Sequence, residues 1–135
     1  MKKITRHQMR ENAFILIFEK LFNDDSEDEI LEIAKECDAI IVDDQVENMF
    51  RGVQDHLEEI DENIHVNLKN WKMERISKIS LAILRLGIYE IMYCDDVDDD
   101  IVASECVKLA TTFAYDDDVS FVNGMIGNIV RGKKK

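Results

Sequence analysis

The sequence predicts an all-α protein, and three observations support this. The chain has no proline and only 5 glycines among its 135 residues, so it contains few of the residues that interrupt helices. Its long segments are rich in Leu, Ile, Glu, Lys and Met, which favour helices over strands. Apolar residues recur every three or four positions along most of the chain. Because 135 residues can bury a core without metal or disulfide bonds, we expect one domain spanning residues 1–135.

The first predicted helix begins after the capping box Thr5-x-x-Gln8 and runs from near Arg6 to about Phe22. Its buried side would consist of Met9, Ala13, Phe14, Ile17, Phe18 and Leu21. The other side groups cationic side chains at positions i, i+3, i+4 and i+7, namely Lys3, Arg6, His7 and Arg10. An ordinary solvated face and a phosphate-binding face both remain open at this point.

The second predicted helix follows the capping box Ser26-x-x-Glu29. Its outer face is almost wholly acidic, and its inner face would consist of Ile30, Ala34, Cys37 and Ile41. Asp43-Asp44 then marks a turn and a helix N-cap. The helical pattern of residues 46–71 is longer than a usual helix, so we expect one break, around residues 61–63 or near Asn70.

The apolar pattern of residues 76–93 predicts the central helix. They carry two adjacent apolar stripes, one of Ile76, Ile79, Ile83 and Leu86 and the other of Leu81, Leu84, Ile88 and Ile91. A helix that is apolar over most of its circumference belongs in the middle of a core. Arg85 lies within it and needs an acidic partner from another helix, because an uncompensated buried charge is costly. Glu105 is the predicted partner.

Two more helices are predicted after this one. The first follows the acidic loop of residues 94–100 and presents Val102, Cys106, Leu109, Ala110 and Phe113. The last presents Val122, Met125, Ile126, Ile129 and Val130 on one side. Gly52 and Gly124 lie inside helical patterns, which predicts close approach of a neighbouring helix at each.

The charge distribution limits the possible partners. A net charge of -12 disfavours general nucleic-acid binding unless positive charge is segregated, and residues 1–10 carry four cations and no acid. Three widely spaced cysteines without a C-x-x-C pattern fit a reducing cytoplasm. No signal-peptide pattern and no apolar stretch of ~20 residues is present, so we expect a soluble cytoplasmic protein without a membrane partner.

The sequence shows no catalytic or metal-binding pattern. Asp96-x-Asp98-x-Asp100 resembles the start of a calcium loop, but Ile101 and Val107 occupy the positions of the required glycine and glutamate. The histidines and cysteines lack metal-ligand spacing, and no nucleophile elbow or nucleotide-binding glycine motif occurs. We therefore expect no enzymatic activity, no metal and no cofactor. Binding through oppositely charged surfaces remains possible, with Phe113 and Tyr115 available to stack on unpaired bases. For Phe113, a place in the core is expected at least as strongly.

Several blocks taken together resemble the NusB family of bacterial transcription antitermination factors. They are Arg10-Glu11-x-Ala13, Gly52-Val53 with Ile60-Asp61, Asn70-Trp71, Ala82-Ile-Leu-Arg-Leu-Gly-Ile-Tyr-Glu90, Ser104-Glu105 with Leu109-Ala110-x-x-Phe113, and Phe121-Val-Asn-Gly124. The blocks occur in the family's order and with similar spacing. The chain departs from the family at three places. It has Arg6-His7-Gln8 where many relatives have three or more consecutive arginines. It also has Asp98 where a proline usually follows Asp-Val, and Ser104 where asparagine is common.

The resemblance implies a NusB-like bundle of about seven helices in two small subdomains around a central apolar helix, without enzymatic activity. Proteins of this kind bind the single-stranded boxA RNA of ribosomal RNA leader transcripts together with NusE, a small-subunit ribosomal protein. They assemble with other Nus factors on RNA polymerase, which then resists termination.

The resemblance also implies site residues. The RNA-binding residues would be Lys2, Lys3, Arg6, His7, Arg10, Phe113 and Asp117. Glu74 and Arg75 would face NusE. Because the cationic segment is reduced, we expect weak RNA binding by the protein alone and firmer binding with NusE. The alternative is an acidic helical adaptor that docks a basic protein without specific RNA binding.

Overall fold

The structure is a computed structural model that describes residues 3–68 and 72–133, and these residues form helices joined by turns, without a strand. The described helices are α1 (Arg6–Lys20), α2 (Glu27–Glu36), α3 (Asp44–Asp55), α4 (Leu57–Asn67), α5 (Lys78–Tyr93), α6 (Asp99–Phe113) and α7 (Asp116–Lys133). A short 3-10 helix, Met73–Arg75, precedes α5. The prediction of an all-α protein with about seven helices is confirmed. None of the described helices has both the length and the apolar character needed to cross a membrane.

The chain divides into two compact units, an N-terminal unit of Met1–Asp55 and a C-terminal unit of His56–Lys135. In the N-terminal unit, α1 packs against α2 and α3. Both predicted capping boxes are present. The Thr5 Oγ1 atom accepts a hydrogen bond from the Gln8 N–H at 3.0 Å, and the Ser26 Oγ atom accepts one from the Glu29 N–H at 3.1 Å. These caps fix the starts of α1 and α2 by binding N–H groups that have no partner within the helix.

The inner face of α2 differs from the prediction. The helix ends at Glu36, and the backbone at Cys37 is extended, with φ -88° and ψ 133°. Cys37 and Ile41 are consequently exposed, so the prediction that they face the core is wrong, whereas Ile30 and Ala34 are buried as predicted.

The long helical pattern breaks earlier than expected. His56 separates α3 from α4, whereas the sequence predicted a break around residues 61–63 or near Asn70. Apolar residues keep helical spacing across the break, with Val53 and Ile60 both fully buried, so periodicity alone did not show it. Asn70 lies outside the described residues.

In the C-terminal unit, α5 is the most buried helix and packs against α4, α6 and α7. Its residues Ser80, Ala82, Ile83, Leu84, Leu86, Gly87, Ile88, Glu90 and Ile91 are buried. The predicted central helix is therefore central to this unit, while the N-terminal unit has an apolar core of its own that includes Phe14, Ile17 and Phe50.

In this unit, helices pack closely at Gly87, whereas the sequence predicted close packing at Gly124. A Cβ atom added to Gly87 would lie 2.4 Å from the Cys106 Sγ atom of α6 and 3.2 Å from the Ile126 Cδ1 atom of α7. Gly124 has nothing within 4 Å of such an atom and is exposed. The prediction of close helix packing at Gly124 is therefore wrong.

Arg85 binds an acidic side chain from another helix, as predicted, but the partner is Asp61 of α4. The Arg85 Nε atom donates to Asp61 Oδ1 at 3.0 Å, and the Nη2 atom donates to Asp61 Oδ2 at 2.8 Å. The predicted pair between Arg85 and Glu105 is wrong, and a Glu105 oxygen lies 3.3 Å from Lys108 Nζ. The planar guanidinium matches both oxygens of one carboxylate, which makes the Asp61 pair geometrically specific.

Candidate nucleic-acid interface

The first candidate surface is the cationic face of α1 in the N-terminal unit. Lys3 and Arg6 are exposed and His7 is partly exposed, as predicted. The His7 Nε2 atom lies 3.7 Å from a Glu11 carboxylate oxygen one helical turn further on. The predicted RNA-binding residue Lys2 lies outside the described residues. We define Lys3, Arg6 and His7 as the cationic face.

Arg10 does not belong to this face. It is only 3% exposed, so the prediction that its guanidinium lies on the surface is wrong. The reason is its spacing: Phe14 and Ile17 follow Arg10 by four and seven positions, so the three residues share one buried stripe of the helix. A guanidinium at this depth cannot present its N–H donors to a phosphate strand. We therefore treat Arg10 as a structural residue of the core and not as an RNA-binding residue.

The second candidate surface is a cavity of about 370 Å³ in the C-terminal unit. We call it the Arg75 cavity, and its lining residues are Arg75, Ile76, Ser77, Asp117, Asp118 and Phe121. One wall consists of the end of the 3-10 helix and the N-cap of α5, and the other is the first turns of α7. Hydrogen bonds from Ser77 and Ser80 to the Asp118 carboxylate connect the two walls.

The cavity brings together predicted residues that were assigned to different partners. Arg75, a candidate for NusE, and Asp117, a candidate for RNA, are both exposed and both line it. Glu74 is also exposed and precedes Arg75 in the 3-10 helix. Phe113 is 37% exposed at the end of α6 and is not among the residues that line the cavity.

Sequence reasoning did not single out Phe121 or Ser77 as site residues. Phe121 belongs to the Phe121-Val-Asn-Gly124 block that carried the family resemblance, so that block was an available signal. Ser77 serves as the α5 N-cap and accepts a hydrogen bond from the Ser80 N–H at 3.1 Å. No pattern in the sequence distinguishes it from other capping serines.

The groups around the cavity fit recognition of an unpaired nucleotide. A guanidinium binds phosphate, an aromatic ring stacks on a base, and hydroxyl and carboxylate oxygens accept hydrogen bonds from a base edge. Within residues 3–68 and 72–133, no group of three or more His, Cys, Asp or Glu side chains is placed to hold a metal ion.

Comparison with known proteins identifies close similarity along the chain. The family model described as "NusB family" matches residues 7–131. The Clostridium acetobutylicum transcription antitermination protein NusB is 37% identical over 134 residues, covering 98% of this chain and 99% of the relative. The protein of the same description from Clostridium botulinum strain Hall is 35% identical over 143 residues, covering 94% of this chain and 100% of the relative.

Solved structures show the same fold. T. maritima NusB has a TM-score of 0.83 and 26% identity, covering 96% of this chain and 93% of that one. A structure of antitermination factors NusB and NusE in complex with dsRNA has a TM-score of 0.82 and 24% identity, covering 94% and 96% of the two chains. The curated relatives are transcription antitermination proteins and not enzymes, which confirms the expectation of a non-enzymatic protein. With matches of this extent in both sequence and fold, the chain belongs to the NusB family.

Proposed function

We propose that this protein is a transcription antitermination factor that binds boxA-type single-stranded RNA together with NusE. In this role it joins other Nus factors on RNA polymerase in the cytoplasm and makes elongation resist termination. The proposal is supported by relatives described as transcription antitermination proteins and by the fold shared with a NusB that was solved with NusE and dsRNA. We treat residues 1–135 as one NusB-like RNA-binding domain made of two compact units.

The observation that carries RNA binding is the exposed cationic face in a strongly acidic chain. The net charge of -12 repels a phosphate backbone at long range, so binding depends on local cations. Lys3 and Arg6 lie on the surface near the start of α1, where they can contact consecutive phosphates. With Arg10 buried, the face offers few contacts, which supports weak binding by the protein alone and firmer binding when NusE contacts the same RNA.

The Arg75 cavity provides the second RNA contact in this proposal. Arg75 binds a phosphate, Phe121 stacks on a base, and Asp117 accepts a hydrogen bond from a base amino group. Phe113 offers a further stacking surface at the end of α6. Because Arg75 lines the cavity and Glu74 does not, we assign Arg75 to RNA and retain Glu74 as the candidate for NusE.

Charge reversal on the cationic face tests this function. We expect Lys3→Glu with Arg6→Glu to lower affinity for a single-stranded boxA RNA by at least about tenfold in the presence of NusE. The slope of log affinity against log salt is negative, and each lost phosphate contact reduces its magnitude by ~0.7 for single strands, so two lost contacts reduce it by roughly 1.4. Fluorescence anisotropy over a salt series measures both quantities.

A matched control changes the net charge equally at other surfaces. Lys35 and Lys108 are 51% and 60% exposed and lie on α2 and α6. Reversing both to Glu should leave the salt slope unchanged, because neither belongs to a proposed contact. Equal losses in the two double variants would show that only net charge matters. If NusE still binds and RNA retention is unchanged by reversal of Lys3 and Arg6, the protein is a protein-binding adaptor instead.

A further inference from the structure

Asp118 accepts hydrogen bonds from three donors at the start of α7. Its Oδ1 atom accepts from the Ser77 hydroxyl at 2.8 Å and from the Ser80 hydroxyl at 3.0 Å. Its Oδ2 atom accepts from the Tyr115 N–H at 3.3 Å. Both oxygens of this carboxylate are therefore occupied by groups of the protein itself.

Ser77 is the N-cap of α5 and lines the Arg75 cavity, whereas Ser80 lies in the first turn of α5 and does not line it. Ser80 is fully buried, so its hydroxyl has no access to water and depends on a protein acceptor. Ser77 is the α5 N-cap and follows Arg75 by two residues. Asp118 thereby connects the wall that contains Arg75 with the wall that contains Asp117 and Phe121.

We propose that Asp118 is a positioning residue that holds the two walls of the Arg75 cavity in the geometry that binds RNA. This inference rests on the proposed function of the cavity. Asp118 does not itself contact RNA in this proposal. A wall fixed before binding loses less conformational entropy when RNA binds, which raises affinity without adding a contact.

Replacing Asp118 should change RNA affinity in opposite directions, depending on whether the residue positions the cavity walls or only repels phosphate. Removing an acidic charge near an RNA-binding surface should strengthen RNA binding, because the carboxylate repels phosphate. Removing the Asp118 hydrogen bonds should weaken it. Asp116 provides a control, because it is an exposed aspartate in the same first turn of α7 and does not line the cavity.

The experiment compares RNA affinities of folded variants, measured by fluorescence anisotropy with a single-stranded boxA RNA and NusE. We expect Asp118→Ala to lower affinity about tenfold, and Asp116→Ala to leave it unchanged or raise it. Asp118→Asn removes the same charge but keeps an oxygen that can accept from both serines, so its affinity should recover to within about threefold of the wild type. Equal affinities of the Ala and Asn variants would overturn the proposal.

A second comparison tests whether Asp118 acts through the cavity. If it does, Arg75→Ala should have a smaller effect in the Asp118→Ala background than in the wild type, because the cation is already misplaced. Strictly additive losses would overturn the inference. If circular dichroism shows that Asp118→Ala does not fold, Ser80→Ala replaces it, because this variant removes one of the three donors to Asp118. We expect Ser80→Ala to lower RNA affinity about threefold. Wild-type affinity would count against the inference.

The two proposals fail in different ways. If the wild type with NusE does not retain boxA RNA, the proposed function is wrong. If RNA is retained and Arg75→Ala weakens it, while Asp118→Ala binds as tightly as the wild type, the function stands and only the positioning role of Asp118 is wrong.

Discussion

Two arginines, one in each unit, meet acidic side chains in different ways. Arg51 in the N-terminal unit contacts the three carboxylates of Glu27, Asp28 and Glu47. Its side chain is 36% exposed, and its distances to Glu27 and Glu47 are 3.6 and 3.2 Å. Arg85 in the C-terminal unit contacts Asp61 with two hydrogen bonds of 2.8 and 3.0 Å, and its side chain is 14% exposed.

From this difference we expect burial and geometry, rather than the number of partners, to set how much each ion pair contributes to stability. Water and salt screen the Arg51 network, and surface pairs of this kind contribute ~0–1 kcal/mol. Arg85 has little access to water and depends on one carboxylate, so the loss of that carboxylate leaves a poorly solvated charge.

Removing Asp61 should destabilise the protein more than removing Arg85. Asp61→Asn leaves the guanidinium without its counter-charge, and we expect the free energy of unfolding to fall by about 2 kcal/mol, less than for a fully buried pair because Asp61 is 31% exposed. Arg85→Met removes the charge and keeps apolar contacts, and should cost about 1 kcal/mol or less. Urea unfolding measures both. If both variants have equal and small effects, Arg85 reaches water and the contrast with Arg51 fails.

The same pair shows where sequence reasoning reached its limit. An arginine inside an apolar helix predicts an acidic partner on another helix, and this was correct. Asp61 and Glu105 were both suitable acids, however, and the choice depends on which faces of α4 and α6 meet α5. Helical periodicity identifies the buried face of each helix but not how two helices are aligned along each other.

Local signals in the sequence predicted the fold better than the site. Capping boxes placed the starts of α1 and α2, and apolar spacing identified α5 as a buried helix. The Arg75 cavity could not be predicted because it depends on Ser77 and Asp118, which are 41 residues apart. For the cationic face, the spacing from Lys3 placed Arg6 correctly. The spacing from Arg10 to Phe14 and Ile17 places Arg10 on the buried stripe of α1 instead, so grouping it with the exposed cations was wrong.

Gly87 and Gly124 differ in how much space a side chain would have. Gly87→Ala places a methyl group against the Cys106 sulfur, which is itself buried, so we expect a loss of about 1–3 kcal/mol. Gly124→Ala adds a methyl group in open space on a helix and should stabilise the protein by about 0.5–1 kcal/mol. Thermal or urea unfolding measures both effects. A second substitution, Cys106→Ala, should relieve part of the Gly87→Ala loss, and strict additivity would contradict a direct clash between the two side chains.

The Arg51 network should give the smallest effect and the clearest dependence on pH and salt. Two hydrogen bonds lower the pKa of Glu47 below its ordinary value of 4.5. The one from Lys35 has the larger effect, and the one from Arg51 adds to it. A carboxyl whose pKa is lower in the folded state stabilises the protein above its unfolded pKa, and this contribution disappears as pH falls through the folded pKa. Glu47→Gln should therefore cost less than about 1 kcal/mol at pH 7, and its stability should converge with that of the wild type as pH falls through the lowered pKa of Glu47.

Salt provides the control for this last variant. Because Arg51 and Lys35 are 36% and 51% exposed whereas Arg85 is 14% exposed, raising ionic strength to about 0.5 M should reduce the difference between wild type and Glu47→Gln at pH 7. The larger cost of Asp61→Asn should change little. Urea unfolding at the two ionic strengths measures both differences. If the Glu47→Gln difference persists at high salt and at low pH, hydrogen-bond geometry rather than screened charge holds the network, and exposure would not distinguish Arg51 from Arg85.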